Sequence, residues 1–413
     1  MARIIKHKDD LLTDLRYARE QCGKSYPVQI LEALRLMAGP GHLSPWDYHR
    51  YRLWNPDLSW EQKREYIGDN NHGWLVHQVS SPEQEPIMRD KVAAGQILQA
   101  GGIPTPRLLA LYHPNREIDE APALRSADEL ATFLRESIEY PFFYKPVTSN
   151  MSVGAGLATA YDPATDTIQR HGDPPLAVEA FANGIADYCK GRNEGSHRNP
   201  GSGYLFQSVA ANHPEIAALC GPTLATLRIY VITDDRGARI DRLAWKIPGP
   251  DSPADNFYRE GNFYADIDPE TGSVRRALRG DGRRFEVFDH NPNNGKKMTG
   301  FRIPHFAELC EIVVRGAQLF PGARYQGWDA AVTSDGPLIV EANYGAALVL
   351  GQLSVGRGFL TPEFRDFVRR AKKLNTTRGF AWPVSWNRPE SIWRLSGLPK
   401  MLKSLQPRKV KAS

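Results

Sequence analysis

Apolar positions recur every three to four residues near the start of the chain and switch to mixed periods later, which divides it into a helical beginning and an α/β remainder. DDLLTDLRYAREQC (9–22) places Leu11, Leu12, Leu15 and Ala18 on one helical face. PVQILEALRLMAGPG (27–41) opens on proline and closes on glycine, so two helices are expected over 9–38. NPDLSWEQKREYIG (55–68) predicts another, with Ser59 and Gln62 spaced as a capping box. The aromatics of this stretch, Trp46, Tyr48, Tyr51, Trp54, Trp60 and Tyr66, read as packing and docking residues. From Asp90 the pattern becomes helix (DKVAAGQILQAGG), rigid connection (IPTP), strand (RLLALYH) and helix (SADELATFLRES, with Ser126 and Glu129 as a capping box), a small α/β unit.

Beyond this unit strands dominate. Phe142 to Val147 and Leu157 to Tyr161 flank the small, polar, Gly-containing loop 149–156; LAVEAFANGI is a short helix; KGRNEGSHRNPGSG (190–203) is a linker; and YLFQSVA reads as a strand bridging two lobes. After the short helix HPEIAALCG come TLATLRIYVITDD paired with ARIDRLAWKIPG, and the hairpin GNFYADIDPETGSVRRAL. PHFAELCEIVVRGAQLFPG (304–322) is an amphipathic core helix, and GWDAAVTSDGPLIVEANYG (327–345) is a final hairpin with an alternating first strand.

That last hairpin carries the sharpest chemistry. Glu341 and Asn343, two residues apart, project to one side of an extended strand, and Asp329 can lie across from them. Two carboxylates and a carboxamide oxygen suit a hard cation such as Mg²⁺, with ordinary solvated acids on a surface hairpin as the competing reading. In the earlier hairpin, Lys145 beside the loop containing Ser152, Gly154 and Gly156 can meet phosphate oxygens while the loop offers backbone N–H groups, with a plain β-turn as the competing reading. It is not a Walker A loop, because G-x-x-x-x-G-K-[ST] is absent. Arg228 and Lys246 stand on the paired strands, and Gln207 lies where the bridging strand would exit.

Composition changes this picture little. With 413 residues, 41% hydrophobic and 24% charged, the chain has the profile of a globular protein, not of a collagen, a disordered chain or a polytopic membrane protein. No apolar run approaches eighteen residues and acids interrupt the N-terminal stretch, so a cytoplasmic location without a transmembrane segment is expected. The four cysteines form no C-x-x-C pair and read as reduced structural residues, and none of the eleven histidines has metal-ligand spacing; His213 and His305 read as helix caps and Asp268 as a turn residue. The net charge of +5 belongs to the tail: residues 391–413 carry six basic residues and no acid, leaving −1 for the rest. The folded body therefore shows no nucleic-acid signature, while the Trp-containing basic tail could touch an anionic membrane weakly.

The order of these parts, with DKVAAGQILQAGGIPTP, FYKPVTSNMSVGAG, TLATLRIYV, PADNFYREGNFYADIDPETG and the final hairpin, resembles the ATP-grasp superfamily, most closely its sugar-transfer-associated group, over about residues 85 to 355. The resemblance implies an α+β ATP-grasp fold, two lobes gripping ATP, preceded by a helical region and a small α/β unit. The divisions expected are 1–84 helical, 85–138 small α/β, 139–208 small lobe, 209–375 large lobe and 376–413 basic tail. It implies ATP and Mg²⁺ (or Mn²⁺) as cofactors, with Lys145 and Lys91 on the phosphates, Gly154 to Gly156 as a cover that includes the neighbouring Ser152, and Gln207 beside the adenine. Asp329, Glu341 and Asn343 match the metal ligands, and Arg228 the residue that steadies the transferred phosphoryl group, with Lys246 beside it; Asp255 and Asn256 face the acceptor.

The function so implied is an ATP-dependent carboxylate–amine ligase working through an acyl phosphate on a saccharide-linked or peptide-like acceptor, in polysaccharide or natural-product biosynthesis. A hydroxyl-phosphorylating ATP-grasp kinase and a nucleotide-binding accessory factor of a glycan-assembly system are the alternatives. Two departures bear on the acceptor side: Gly261-Asn262 stands where a glycine pair is expected, and Lys246 where arginine is expected. Oligomeric state is not legible.

Overall fold

The computed structural model describes residues 11–149, 153–191, 203–250, 252, 254–257 and 259–375. Ser152, most of the linker 190–203 and the tail 376–413, with its proposed membrane contact, lie outside these residues. The chain opens with helices α1 (Leu11–Cys22), α2 (Tyr26–Met37), α3 (Pro45–Arg50), α4 (Trp60–Arg64), α5 (His72–Val79) and α6 (Gln84–Arg89). The capping box at Ser59 and Gln62 forms in both directions, 3.2 and 2.8 Å, which fixes the start of α4.

Next come α7 (Lys91–Ala100), β1 (Leu108–Tyr112), β2 (Ala123–Leu124), α8 (Ala127–Glu136), β3 (Phe142–Pro146), β4 (Gly156–Asp162), β5 (Thr167–Arg170), β6 (Asp173–Ala177), α9 (Val178–Cys189) and β7 (Tyr204–Ser208). At α8 the Ser126 hydroxyl takes the Glu129 N–H, but the Glu129 carboxylate reaches one residue further back, to the Arg125 N–H at 2.8 Å. The seven strands form one sheet in the order β2-β1-β7-β3-β4-β5-β6. The strands of segment 85–138 thus share a sheet with those of 139–208. β7 lies inside it, between β1 and β3, so it does not bridge two lobes as its sequence suggested. The crossing is made just after it, where the His213 N–H donates to the Val332 carbonyl at 2.9 Å.

The second sheet is built from the segment that runs α10 (Pro214–Cys220), β8 (Thr226–Asp234), β9 (Gly237–Ile247), β10 (Phe263–Ile267), β11 (Val274–Gly280), β12 (Phe285–Phe288), α11 (Phe306–Gln318), β13 (Tyr325–Thr333) and β14 (Gly336–Asn343). Its order is β12-β11-β10-β9-β8-β13-β14. Helices α12 (Leu348–Val355) and α13 (Pro362–Leu374) complete the described chain. β13 is buried along its whole length rather than on alternate residues, because it has strands on both edges and cover on both faces.

The two faces of this large sheet meet different partners. Leu243, Trp245, Phe263, Ala265 and Ala277 pack with α11 residues such as Leu309 and Val313 in the main core. Ala244, Tyr264 and Leu278, on the opposite face, pack with Tyr48, Tyr51, Trp54 and Tyr66 of the N-terminal helices and with Leu350 and Leu353 of α12. Those aromatics are therefore docking residues that seat the helical region on the sheet. The capping expected of histidines holds at α10, where the His213 ring accepts the Glu215 N–H, but not at α11, where His305 makes no side-chain cap and has φ +51°.

Candidate functional site

The hairpin β13–β14 sets the geometry. Its pairs run Thr333 with Gly336 through Ala330 with Ile339, and continuation in that register would place Val340 opposite Asp329. A β-bulge shifts the register between Asp329 and Ala330, so Glu341 becomes the residue across from Asp329, on the same face. On its other edge β13 pairs with β8, which sets Arg228 directly beside Asp329; Arg228 in turn lies across from Ala244 of β9. One row of side chains across β14, β13 and β8 thus holds Glu341, Asp329 and the Arg228 cation.

Asp329 is almost fully enclosed and is bound in this arrangement. Its Oδ1 accepts from Arg228 Nε at 2.7 Å and lies 3.2 Å from Lys246 Nζ, and its Oδ2 accepts from the second arm of Arg228 at 3.0 Å. Burial alone would raise the Asp329 pKa; Arg228 first and Lys246 next reverse this and hold the carboxylate well below the usual range. Burial likewise works against the charge on Arg228, and Asp329 more than restores it. Lys246 also faces the Asp255 carboxylate at 3.4 Å. Asp255 is in turn held by the Thr226 N–H at 3.0 Å and by the Thr226 hydroxyl, and burial raises its pKa despite Lys246.

Across the cleft stand two lysines. Lys145 on β3 is 6% exposed, and burial pushes its ammonium down to about 8, with Glu341 and Asp329 opposing the shift and Lys91 adding to it. Lys91, the first residue of α7, donates to the Ser149 carbonyl at 2.8 Å and lies 3.4 Å from Glu341 Oε1. The side chain of Asp90 accepts from the Val92 and Ala93 N–H groups and so starts α7 where Lys91 can reach the loop. Above them, Gly154 sits at φ +77° and the Tyr204 hydroxyl donates to its carbonyl, while a Cβ at Gly156 would collide with the Tyr144 phenol.

Lys91, Lys145, Gln207 and Glu341 all line one cavity between the two sheets, 610 Å³ counting its open mouth, with Leu108, Leu205 and Ile339 as apolar wall. The structure thus brings together four residues singled out from separate segments. Arg228, Lys246, Asp329 and Asp255 form the adjoining charged row rather than the cavity wall. The Asn256 carbonyl is held by Asn262, whose carboxamide also ties Ala254 and Gly249, so the residue in place of the expected glycine pins the loop. Thr226 was not foreseen, since 29 positions separate it from Asp255 and no local pattern links them.

Among the described residues no three His, Cys, Asp or Glu side chains are placed to hold a metal ion. The set present is two carboxylates and a carboxamide. An ionised carboxylate has about four lone-pair sites; three on Asp329 are engaged, leaving one on Oδ2. Among the described residues the Asn343 Nδ2 is buried without a hydrogen-bond partner. The donor chemistry fits a hard cation that shares its remaining positions with phosphate.

A family model described as sugar-transfer associated ATP-grasp matches residues 71–366. The chain belongs to this family. The two sheets and the cleft between them are its ATP-grasp fold, here with the N-terminal helices added. No curated protein matches the chain. Among solved structures it is similar to the VanG D-Ala:D-Ser ligase of Enterococcus faecalis (11% identity, TM-score 0.37, covering 70% of this chain and 62% of that one). It is also similar to the biotin carboxylase of Campylobacter jejuni (12%, 0.41, 76% and 52%) and the L-amino acid ligase of Bacillus licheniformis (11%, 0.35, 65% and 43%). The chain thus spans less than two thirds of each of these proteins.

Proposed function

We propose that this ATP-grasp protein binds Mg-ATP in the inter-sheet cleft and joins a carboxylate to an amine through an acyl phosphate, on a saccharide-linked or peptide-like acceptor. The observation that supports this most is the gathering of Lys91, Lys145, Arg228 and Lys246 around Asp329 and Glu341. Phosphoryl transfer to a carboxylate forces anions together, and such a site works by supplying cations at fixed positions.

In this reading Lys91 and Lys145 meet the phosphate oxygens, Gln207 lies beside the adenine, and the Gly154–Gly156 loop covers the nucleotide. Glu341, Asn343 and the remaining lone pair of Asp329 would hold Mg²⁺, which when bound neutralises phosphate charge. A substrate carboxylate oxygen attacks the γ-phosphorus and the bond to ADP breaks. Arg228 stands where charge then builds. The amine attacks the acyl carbon, phosphate leaves with the former carboxylate oxygen, and the amine proton goes to solvent or to a base at the acceptor edge, where Lys246, Asp255 and Asn256 lie. No protein nucleophile is needed, and the buried thiol of Cys189, pushed up to about 11, is unsuited to be one.

The test is incubation with Mg-ATP and pools of carboxylates and amines. ADP and phosphate released only when both an acid and an amine are present support the ligase. A product heavier by a phosphoryl group would mean a kinase, and ATP retention without turnover an accessory factor.

A further inference from the structure

We propose that a second cavity, between the N-terminal helices and the far end of the large sheet, is a binding site for a small molecule carrying a phosphate or carboxylate group next to a planar or apolar body. The cavity measures 1050 Å³ with its open mouth, and none of its lining residues lines the nucleotide cleft. It is built from the end of α1 (Gln21 and Cys22), the stretch from Arg50 to Leu58, Tyr66, and sheet and α12 residues that include Arg276, Phe285 and Leu353.

Its chemistry is specific. Arg50, Arg52 and Arg276 line it against a single acid, Asp57. Arg50 is paired with Asp69 at 2.8 Å, and Arg276 donates to the Leu353 and Ser354 carbonyls at the end of α12, so two of the three charges are already engaged. Arg52 is different. Its guanidinium lies over Trp54 at 4.9 Å and Phe285 at 4.6 Å, and among the described residues it forms no side-chain hydrogen bond or ion pair. Two rings orient the planar fork while its N–H groups remain available, which is the arrangement that takes a carboxylate or phosphate bidentately. Arg52 also has φ +52°, a backbone conformation that favours glycine and asparagine. The side chain there is half-buried between the two aromatic faces.

The site lies on the same face of the sheet as the nucleotide cleft. Asp329, Arg228, Ala244, Asp266 and Arg276 are successive cross-strand partners, so Arg276 is four strand spacings, about 19 Å, from Asp329. An anion held at Arg52 is therefore not the carboxylate activated in the cleft, and the proposal does not rest on the ligase reading.

Calorimetric titration of the full chain with phenyl phosphate and, separately, with benzoate tests it. We expect at least one to bind, the pair revealing which anion is preferred. Arg52→Asn, which suits the positive φ, should weaken binding at least tenfold without lowering the melting temperature, and Lys145→Ala should leave it unchanged. Should Arg52→Asn fail to fold, Leu58→Trp, which fills the cavity from its wall, replaces it with the same expected loss. Absence of binding by both probes, equal binding by the Arg52 or Leu58 variant, or loss in Lys145→Ala instead, would overturn the site.

Discussion

At the scale of single residues, Lys145 and Asp329 carry opposite electrostatic problems. Lys145 is a buried cation whose neighbours only partly offset desolvation, so its ammonium is held at about 8 against an ordinary 10.5. The folded state therefore bears the cost of this charge below about pH 8 and sheds it as pH rises, while the unfolded chain keeps the proton to its ordinary value; stability from this group increases with pH across that window. Lys145→Met should accordingly be more stable than wild type by roughly 2–3 kcal/mol at pH 7, with the difference vanishing above about pH 10, as read by denaturant midpoints. Turnover should fall at least a hundredfold. Phosphate binding should restore the lysine's charge, so ATP binding near pH 9 should take up a proton, measurable by calorimetry in buffers of different ionisation enthalpy. Arg228→Met does the reverse: it strands the Asp329 carboxylate with Lys246 alone and should cost about 3–5 kcal/mol in a denaturant titration. These residues were legible as chemistry-bearing types on strands. Their mutual pairing was not, since Arg228 and Asp329 are 101 positions apart and meet only through sheet register.

At the scale of elements, the hairpin β13–β14 was readable from its turn and its acids, but its bulge was not, because a one-residue shift leaves no compositional trace. That shift is what sets Glu341, rather than Val340, beside Asp329. Close packing guards it: a Cβ on Gly327 would fall against Ala346 in the segment following Asn343. Gly327→Ala should therefore lose about 2–4 kcal/mol of stability and, by moving Asn343, weaken Mg²⁺-dependent nucleotide binding, checked by melting curves with and without Mg-ATP. α12 was missed for a different reason. LVLGQLSV is apolar around its whole circumference, and residues Leu348 through Ser354 are all buried, so it shows no period to read. β6 contains Pro174 and Pro175, which a strand tolerates here because it lies at the sheet edge.

At the scale of the whole molecule, the helical region is part of the large-sheet core rather than an appendage. Glycine marks the closeness: a Cβ on Gly358 would strike the Glu65 backbone, and Arg357 pairs with the Glu65 carboxylate at 2.7 Å. Removing residues 1–70 would bare Ala244, Tyr264, Leu278, Leu350 and Leu353, and the shortened chain should aggregate or melt non-cooperatively in calorimetry. The order of segments made the two-lobed architecture legible. Which sheet face the helices cover was not, because an amphipathic helix specifies that it docks and not where. Among the described residues no helix is long and apolar enough to cross a membrane.

The central claim is acyl-phosphate chemistry in the inter-sheet cleft, and oxygen tracing tests it most directly. A pool of carboxylic acids labelled with ¹⁸O in the carboxyl group is incubated with Mg-ATP, amines and the protein, and the released phosphate is analysed by mass. The expected result is phosphate bearing one ¹⁸O per amide formed, and no label or product with Glu341→Gln. Unlabelled phosphate released alongside amide, or label transfer undiminished in Glu341→Gln, would contradict it.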